Sequence, residues 1–149
     1  MEKQHHYEVT IDWISERKGT MHSPVLNQSV EVATPPEFPG GMEGVWSPEH
    51  LFVASVNSCL MTTFLAIAEN SRLDFASFSS NAVGTLENVN DTFMISEITL
   101  NPVVAITDES AMDRTKRILE KAEAACLISN SIKTKINFNP SVELAEYAD

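Results

Sequence analysis

One uncharged segment constrains this chain more than any other. From Leu51 to Ala68 the sequence carries no charged residue, and apolar side chains fall on every face of a helix rather than along one stripe. Ser47 and Pro48 come just before it: a hydroxyl that can cap a helix, then a residue whose fixed φ suits the first turn. A helix that is apolar all round must be covered on all sides. We therefore predict a long, buried central helix with Cys59 at its middle.

The same segment raises the question of a membrane span. Its uncharged part is shorter than the about 20 residues that a helix needs to cross a bilayer. Five polar residues also interrupt it: Ser55, Asn57, Ser58, Thr62 and Thr63. The N-terminus lacks a basic region followed by an apolar run, which is the pattern of a signal peptide. We therefore expect a cytoplasmic protein that has no membrane partner.

Charge and cysteine content narrow the classes of function. The formal net charge of −11 at pH 7 disfavours binding to nucleic acid or to anionic membrane surfaces. Two cysteines in a cytoplasmic protein are more often free or redox-active thiols than a structural disulfide. His5 and His6 have no metal-ligand spacing to either cysteine, and no flavin or haem motif is present, so no metal site or resident cofactor is predicted. A length of 149 residues predicts one domain, residues 1–149.

The chain before the helix is predicted to form three strands. Tyr7, Val9, Ile11 and Trp13 alternate with polar residues, and this period of two predicts a strand with one buried face. Gly19 is predicted to supply the positive φ of the turn that follows. The next two strands are predicted at Thr20–His22 and Val30–Ala33. A stiff loop rich in proline and glycine then leads to the helix, and loops in that position often carry function.

The chain after the helix is predicted to form a long antiparallel hairpin, a second helix and a last strand. The hairpin strands are Phe75–Val89 and Thr92–Ile106, and Pro102 indicates an edge or a bulge. Thr107 or Asp108 is predicted to cap the second helix, Glu109–Ala125, with Cys126 where that helix ends. The last strand alternates from Ile136 to Glu143. This order predicts an α+β fold with antiparallel sheet around the central helix. Because 149 residues can hardly cover such a helix alone, we expect a homodimer.

Three short motifs then resemble one known family. They are Ser47-Pro48-Glu49-His50-Leu51, Asn57-Ser58-Cys59, and Ala125-Cys126-Leu127-Ile128-Ser129-Asn130. Together with the predicted order of strands, they resemble the OsmC/Ohr family of osmotically inducible and organic hydroperoxide resistance proteins. The resemblance implies an OsmC-like fold in an intertwined homodimer with two identical sites at the subunit interface.

The resemblance also implies an activity, the thiol-dependent reduction of hydroperoxides, preferentially organic ones. Cys59 is similar to the family's peroxidatic cysteine, and Cys126 to the cysteine that resolves it as a disulfide. Arg17 and Glu43 match the arginine and glutamate that activate the first cysteine. An external dithiol, for which a lipoylated protein is a candidate, would complete the cycle without a cofactor.

The sequence departs from the family pattern in two places. Leu127 replaces the proline that usually follows the second cysteine. This change is expected to alter the orientation of the Cys126 sulfur. Val45-Trp46-Ser47 replaces a small residue, threonine and asparagine. Trp46 is therefore a candidate for the wall of a substrate pocket, with Phe52 and Val56 on the first turns of the helix.

A peroxidatic role for Cys59 requires that its thiol pKa be lowered. A thiolate rather than a thiol attacks a peroxide, and an apolar helix interior raises a thiol pKa. Arg17 is the cation predicted to offset this effect, with Glu43 orienting its guanidinium. Two other classes stay open: a binding protein for a small hydrophobic ligand with vestigial thiols, and a cysteine hydrolase, for which no histidine stands out as the base.

Overall fold

The structure, a computed structural model, describes residues 3–145. The chain divides into two compact units, with the boundary between Leu51 and Phe52. The described residues form two sheets and two α-helices, which confirms the predicted α+β fold class. That the whole chain acts as a single domain stays a prediction.

The first unit contains a three-stranded antiparallel sheet in the order β1-β2-β3. Its strands are β1, Thr10–Ser15, β2, Lys18–His22, and β3, Val30–Ala33. The predicted role of Gly19 is wrong, because the turn residue with positive φ is Glu16 (51°) and Gly19 lies in β2. A Cβ on Gly19 would approach the backbone oxygen of Asp12 to 2.8 Å. Glycine is therefore needed there for the close approach of two strands.

The predicted buried face of the first strand is also wrong. Tyr7 and Val9 precede β1, and they are exposed together with Ile11 and Trp13, the last to 77%. A period of two shows which side chains share a face, but burial depends on what covers that face. β1 lies at the edge of its sheet, and five of its six residues are exposed in the described chain.

Helix α1 spans Pro48–Asn70, 23 residues, and begins where the sequence predicts. The Ser47 hydroxyl accepts a hydrogen bond from the His50 N–H at 3.1 Å, which caps the first turn. The buried side chains follow one stripe: Val56, Cys59, Leu60, Phe64 and Ala68. Met61 and Leu65, on a neighbouring side, are each 39% exposed. The described chain therefore buries only part of the helix that was predicted to be buried all round.

α1 also has the length and composition of a membrane-crossing helix. The prediction that it is too short is wrong, because the helix extends beyond the uncharged stretch into polar ends. Length and composition are a weak indication of a span, since the core helix of a soluble protein passes the same test. The stripe on α1 packs into the hydrophobic core of the second unit, while 22% of the apolar window of the helix is buried in the described chain.

The second unit contains a four-stranded sheet. β4, Ser77–Val89, and β5, Thr92–Ile106, form the predicted antiparallel hairpin, and Asn90 and Asp91 make its turn with positive φ. The single last strand that was predicted is instead two strands, β6, Lys135–Phe138, and β7, Ser141–Leu144. Both run parallel to β5, so this sheet is mixed rather than wholly antiparallel.

Pro102 lies inside β5 rather than at an edge or a bulge. β6 pairs with Glu97–Leu100 of β5, and β7 pairs with Val103–Ile106. Pro102 falls between these two pairings, where neither strand needs a hydrogen-bond donor from it. The break between β6 and β7 therefore explains how a central strand accommodates proline.

A 3₁₀ turn, Glu109–Ala111, leads into helix α2, Met112–Ala125. The Asp108 carboxylate accepts a hydrogen bond from the Ser110 N–H at 3.0 Å, so Asp108 is the capping residue. One hydrophobic cluster joins α2, α1 and β5, and includes Ile118, Leu119, Ala122, Leu60, Phe64, Ile98, Leu100, Val104 and Ile106. This core holds α1 and α2 against the same sheet.

Candidate functional site

Cys59 lies in the middle of α1 and is 9% exposed. It is about three turns from the N-terminus of the helix, too far for the helix dipole to stabilise a thiolate. Its Sγ lies 3.8 Å from Thr63 Oγ1, one turn further along the same helix. Other groups around the sulfur must therefore decide its charge.

Cys126 directly follows α2 and is fully buried. Its backbone (φ −64°, ψ 109°) takes the chain out of the helix, while its N–H donates to the Glu123 carbonyl at 3.2 Å. Asn130 fixes the turn that follows, because its N–H donates to the Cys126 carbonyl at 3.0 Å and its side-chain amide donates to the Ala124 carbonyl at 3.3 Å. We call residues 126–130 the cysteine turn.

The cysteine turn reaches the sulfur of Cys59. Burial raises the pKa of the Cys59 thiol, but hydrogen bonds to its sulfur outweigh burial. In decreasing order of effect, these come from the Ile128 N–H, the Cys126 thiol, the Thr63 hydroxyl and the Leu127 N–H. The pKa of Cys59 therefore lies below the ordinary value of a cysteine, which favours its thiolate.

The pKa of Cys126 is raised, in contrast to that of Cys59. Burial raises the pKa of Cys126, interactions with Ser129 lower it only in part, and the neighbouring Cys59 raises it further. Both thiols are free. Among residues 3–145, no group of three or more His, Cys, Asp or Glu side chains is placed to hold a metal ion. The structure thus brings the two predicted cysteines together, with the thiolate favoured at Cys59 and the thiol favoured at Cys126. Their roles as peroxidatic and resolving residues remain predictions.

The sequence analysis missed the groups that lower the pKa of Cys59, because it looked for a charged side chain. Thr63 carried a signal, since residues four apart lie on the same side of a helix. The N–H groups of Leu127 and Ile128 carried none, because every residue except proline has one. Only the path of the cysteine turn aims them at the sulfur.

A carboxyl group lies beside Cys126. Glu123 is one turn earlier on α2, burial raises its pKa, and an interaction with the Ser129 hydroxyl offsets part of that rise. Glu123 Oε2 and Ser129 Oγ are both buried, and neither has a hydrogen-bond partner of standard geometry in the described chain. The sequence analysis singled out neither residue. Spacing of three residues from the cysteine on a helix is the signal that could have found Glu123.

Arg17 and Glu43 lie in the first unit. Arg17 is in the turn between β1 and β2, and its side chain passes over Gly40, where a Cβ would lie 3.1 Å from the Arg17 Cγ and Nε. Gly40 also has a φ of 80°, a backbone conformation that favours glycine. Arg17 and Glu43 are both exposed, and no ion pair joins them within the described residues. Their predicted action on Cys59 remains a prediction.

The three predicted pocket residues differ in their surroundings. Trp46 is 52% exposed, and its ring meets His50 edge-on with centroids 6.3 Å apart. Val56 is fully buried in the hydrophobic core, and Phe52 packs against that core while partly buried. Their role in a substrate pocket remains a prediction.

Replacing Leu127 with proline is expected to raise the pKa of Cys59, because proline has no N–H to donate to the sulfur. The extended backbone of Cys126 suits a residue that precedes proline, and the Leu127 side chain is 66% exposed, so the fold should accept the change. The measurement is the pH dependence of Cys59 alkylation by iodoacetamide. Leu127→Ala, which keeps the N–H, is the matched control, and equal midpoints in the two variants would contradict the prediction.

Comparison with protein families identifies a match over most of the chain. The family model described as OsmC-like protein matches residues 41–141. This range includes both cysteines, the cysteine turn and Glu43, and it excludes Arg17. A search of curated proteins gave no match.

Several solved structures share the fold. An OsmC-like protein of unknown function from Vibrio cholerae has a TM-score of 0.81 and 23% identity, with 92% of this chain and 99% of that chain covered. An organic hydroperoxide resistance protein from Elizabethkingia anophelis has a TM-score of 0.76 and 20% identity, with 97% and 100% covered. An organic hydroperoxide resistance protein OsmC from Legionella pneumophila has a TM-score of 0.73 and 20% identity, with 95% and 100% covered. At these identities the likeness shows the fold alone.

Proposed function

This chain belongs to the OsmC-like protein family, and from that premise we propose that it is a thiol-dependent peroxidase that reduces organic hydroperoxides to alcohols. The observation that carries the proposal is the buried pair of free cysteines, in which the pKa of Cys59 is lowered and that of Cys126 is raised. The relatives from Elizabethkingia anophelis and Legionella pneumophila are described as organic hydroperoxide resistance proteins, which supports the same substrate class.

The first step takes place at Cys59. Its thiolate attacks the terminal oxygen of the hydroperoxide, the O–O bond breaks, and the sulfur is oxidised to a sulfenic acid. The departing alkoxide takes a proton and leaves as the alcohol. The N–H groups of Leu127 and Ile128 support this step by holding the negative charge on sulfur before the attack.

The second step joins the two cysteines. The Cys126 sulfur attacks the Cys59 sulfenic acid, an S–S bond forms, and the hydroxyl group leaves as water. The Cys126 thiol is among the groups that lower the pKa of Cys59, which supports Cys126 as the residue that resolves the sulfenic acid.

An external dithiol then restores the enzyme. It reduces the disulfide to two thiols and is itself oxidised to a disulfide, so no resident cofactor takes part. A lipoylated protein is the reductant that we favour. A cytoplasmic location belongs to the same proposal, because a cycle that returns both cysteines to thiols needs a reducing compartment.

Arg17 and Glu43 are the charged residues assigned to activation of Cys59. A guanidinium keeps its charge at all working pH values and can hold a thiolate and a carboxylate in one planar fork. Arg17 makes no ion pair in the described part of the chain, so it has charge to offer an anion. The match of both residues to the family pattern is the remaining support.

The protein is expected to be a homodimer. In the described chain, α1 leaves Met61 and Leu65 exposed, and β1 leaves Ile11 and Trp13 exposed. Neighbouring apolar side chains that are exposed on one element are often covered at an interface. Light scattering at micromolar concentration should give twice the 16.5 kDa mass of the chain. A mass near that of one chain would contradict the dimer.

Consumption of cumene hydroperoxide with dithiothreitol as reductant tests the proposed activity. Turnover should be faster than with hydrogen peroxide, and it should continue when a lipoylated protein replaces dithiothreitol. A folded protein that consumes no hydroperoxide would overturn the peroxidase. Binding of a fluorescent apolar probe by that inactive protein would then favour the alternative of a small hydrophobic ligand-binding protein.

A further inference from the structure

The hydroxyl groups of α1 do not all bond in the same way. Those of Ser55, Ser58 and Thr62 each donate to a backbone carbonyl one turn earlier, at 2.7, 3.3 and 3.2 Å. Serine and threonine inside a helix commonly bond back to a carbonyl in this manner. The hydroxyl of Thr63 instead lies 3.8 Å from the Sγ of Cys59, and within residues 3–145 it makes no other hydrogen bond. It is therefore directed at the sulfur and not at the helix backbone.

Helix geometry explains why Thr63 meets Cys59. Residues four apart lie on the same face, and each Cα–Cβ bond tilts toward the helix N-terminus, so the Thr63 side chain leans back over Cys59. Branching at Cβ restricts the rotamers of threonine, so little side-chain entropy is lost in holding the hydroxyl there. Thr63 is also half-buried, which partly shields the contact from water. The contact is thus a local property of α1.

The protonation state of Cys59 decides which atom donates. With a neutral thiol, either the sulfur or the hydroxyl can be the donor. A thiolate has no hydrogen, so the Thr63 hydroxyl must donate to it, and a hydrogen bond to a charged acceptor is stronger than one to a neutral acceptor. The contact therefore favours the thiolate, and Thr63 is among the groups that lower the pKa of Cys59. The other such groups, the Cys126 thiol and the N–H groups of Leu127 and Ile128, belong to the cysteine turn, so a change at Thr63 leaves them in place.

We propose that Thr63 is a catalytic residue, whose hydroxyl donates a hydrogen bond directly to the Cys59 sulfur and holds it as the thiolate that attacks. The inference rests on the proposed function only for the identity of the electrophile, a hydroperoxide. Negative charge leaves the sulfur as the new bond to oxygen forms, so the hydrogen bond stabilises the thiolate before attack more than it stabilises the transition state. Thr63 therefore provides a larger thiolate fraction at neutral pH, together with a slightly less nucleophilic thiolate.

The pH profile of Cys59 alkylation by iodoacetamide tests this role without any peroxide. Thr63→Val replaces the hydroxyl with a methyl group of similar size. At pH values below the Cys59 pKa, Thr63→Val should react about two- to fivefold more slowly than wild type. This is somewhat less than the about two- to tenfold that one hydrogen bond contributes to an equilibrium, because the released thiolate is more nucleophilic. On the alkaline plateau, where both proteins are fully ionised at Cys59, Thr63→Val should react at least as fast as wild type.

Two further variants separate the hydroxyl of Thr63 from its surroundings. Thr63→Ser keeps the hydroxyl and removes the methyl group, so it should recover most of the rate that Thr63→Val loses at the lower pH values. Thr62→Val is the matched control, because the neighbouring hydroxyl donates to the Cys59 carbonyl and not to its sulfur. That variant should keep the wild-type profile, and far-UV circular dichroism checks that each variant is folded.

Three results would overturn the inference. They are a Thr63→Val profile that superimposes on that of wild type, a profile lowered by the same factor at every pH, as a loss of packing around the sulfur would produce, and a Thr63→Ser profile equal to that of Thr63→Val. If wild type consumes no cumene hydroperoxide, the proposed function is overturned instead, while the alkylation profiles still test the role of Thr63. The two failures are therefore read from different assays.

Discussion

Cys59→Ser is expected to reduce the consumption of cumene hydroperoxide to the rate seen in buffer. The serine hydroxyl is not ionised at neutral pH and cannot be oxidised to a sulfenic acid, so the first step has no nucleophile. Serine is close to cysteine in size, so the variant should keep the fold and its melting temperature. The measurement is loss of hydroperoxide in the presence of excess dithiothreitol, with far-UV circular dichroism as the test of folding.

Cys126→Ser is the matched control, because it removes the other thiol of the pair. That variant should still consume one equivalent of hydroperoxide, and dimedone should trap the sulfenic acid on Cys59. Wild type treated with one equivalent should instead contain the Cys59–Cys126 disulfide by mass spectrometry. Appreciable turnover in Cys59→Ser would mean that another group is the peroxidatic residue.

The elements that the sequence predicted well are those whose signals are local. Ser47 and Pro48 fixed the start of α1, because a capping hydroxyl and a proline at the first helical position act within one turn. Alternation and a tight turn gave the hairpin of β4 and β5, and β5 begins and ends where predicted. These features depend on neighbours in sequence, so no knowledge of distant contacts was needed.

The errors concern contacts between distant parts of the chain. Whether the apolar face of β1 is buried depends on what covers it, and alternation in Tyr7–Trp13 carries no information about that. Likewise, Ile136 to Glu143 alternates as one strand would, but β6 and β7 separate at Asn139 and Pro140 because each pairs with a different part of β5. Strand direction also depends on the partner, and the parallel pairing could not be read from alternation.

In the candidate site, too, the sequence identified what depends on local motifs and missed what depends on distant contacts. The two cysteines could be chosen by their motifs, but the source of the lowered pKa of Cys59 could not. The sequence pointed to Arg17, whereas the structure gives the largest favourable effect to a backbone N–H, that of Ile128. Leu127 is informative because the departure from the expected proline adds a donor to the Cys59 sulfur. The departure was visible in the sequence, but its consequence needed the path of the cysteine turn.

Phe64→Ala should lower the free energy of unfolding by about 3–5 kcal/mol, a large share of the about 5–15 kcal/mol typical of a domain. Phe64 is fully buried on α1, where its ring stacks with Phe78 at 5.1 Å and meets Phe75 edge-on at 5.3 Å between centroids. Removing it leaves a cavity and breaks both aromatic contacts, which are favourable in these geometries. Since Phe64 lies on the same helix as Cys59, the loss would loosen the element that positions the thiol.

Urea denaturation of the two proteins at one fixed concentration measures this effect, because dimerisation would make stability depend on concentration. Val83→Ala is the control: Val83 is 54% exposed on β4, and its truncation should change the free energy of unfolding by about 0.5 kcal/mol or less. The midpoint for Phe64→Ala should therefore fall well below those of wild type and Val83→Ala. A change of about 1 kcal/mol or less in Phe64→Ala would be too small for a cavity of that size. It would mean that the packing of α1 against β4 and β5 is not what holds Cys59 in place.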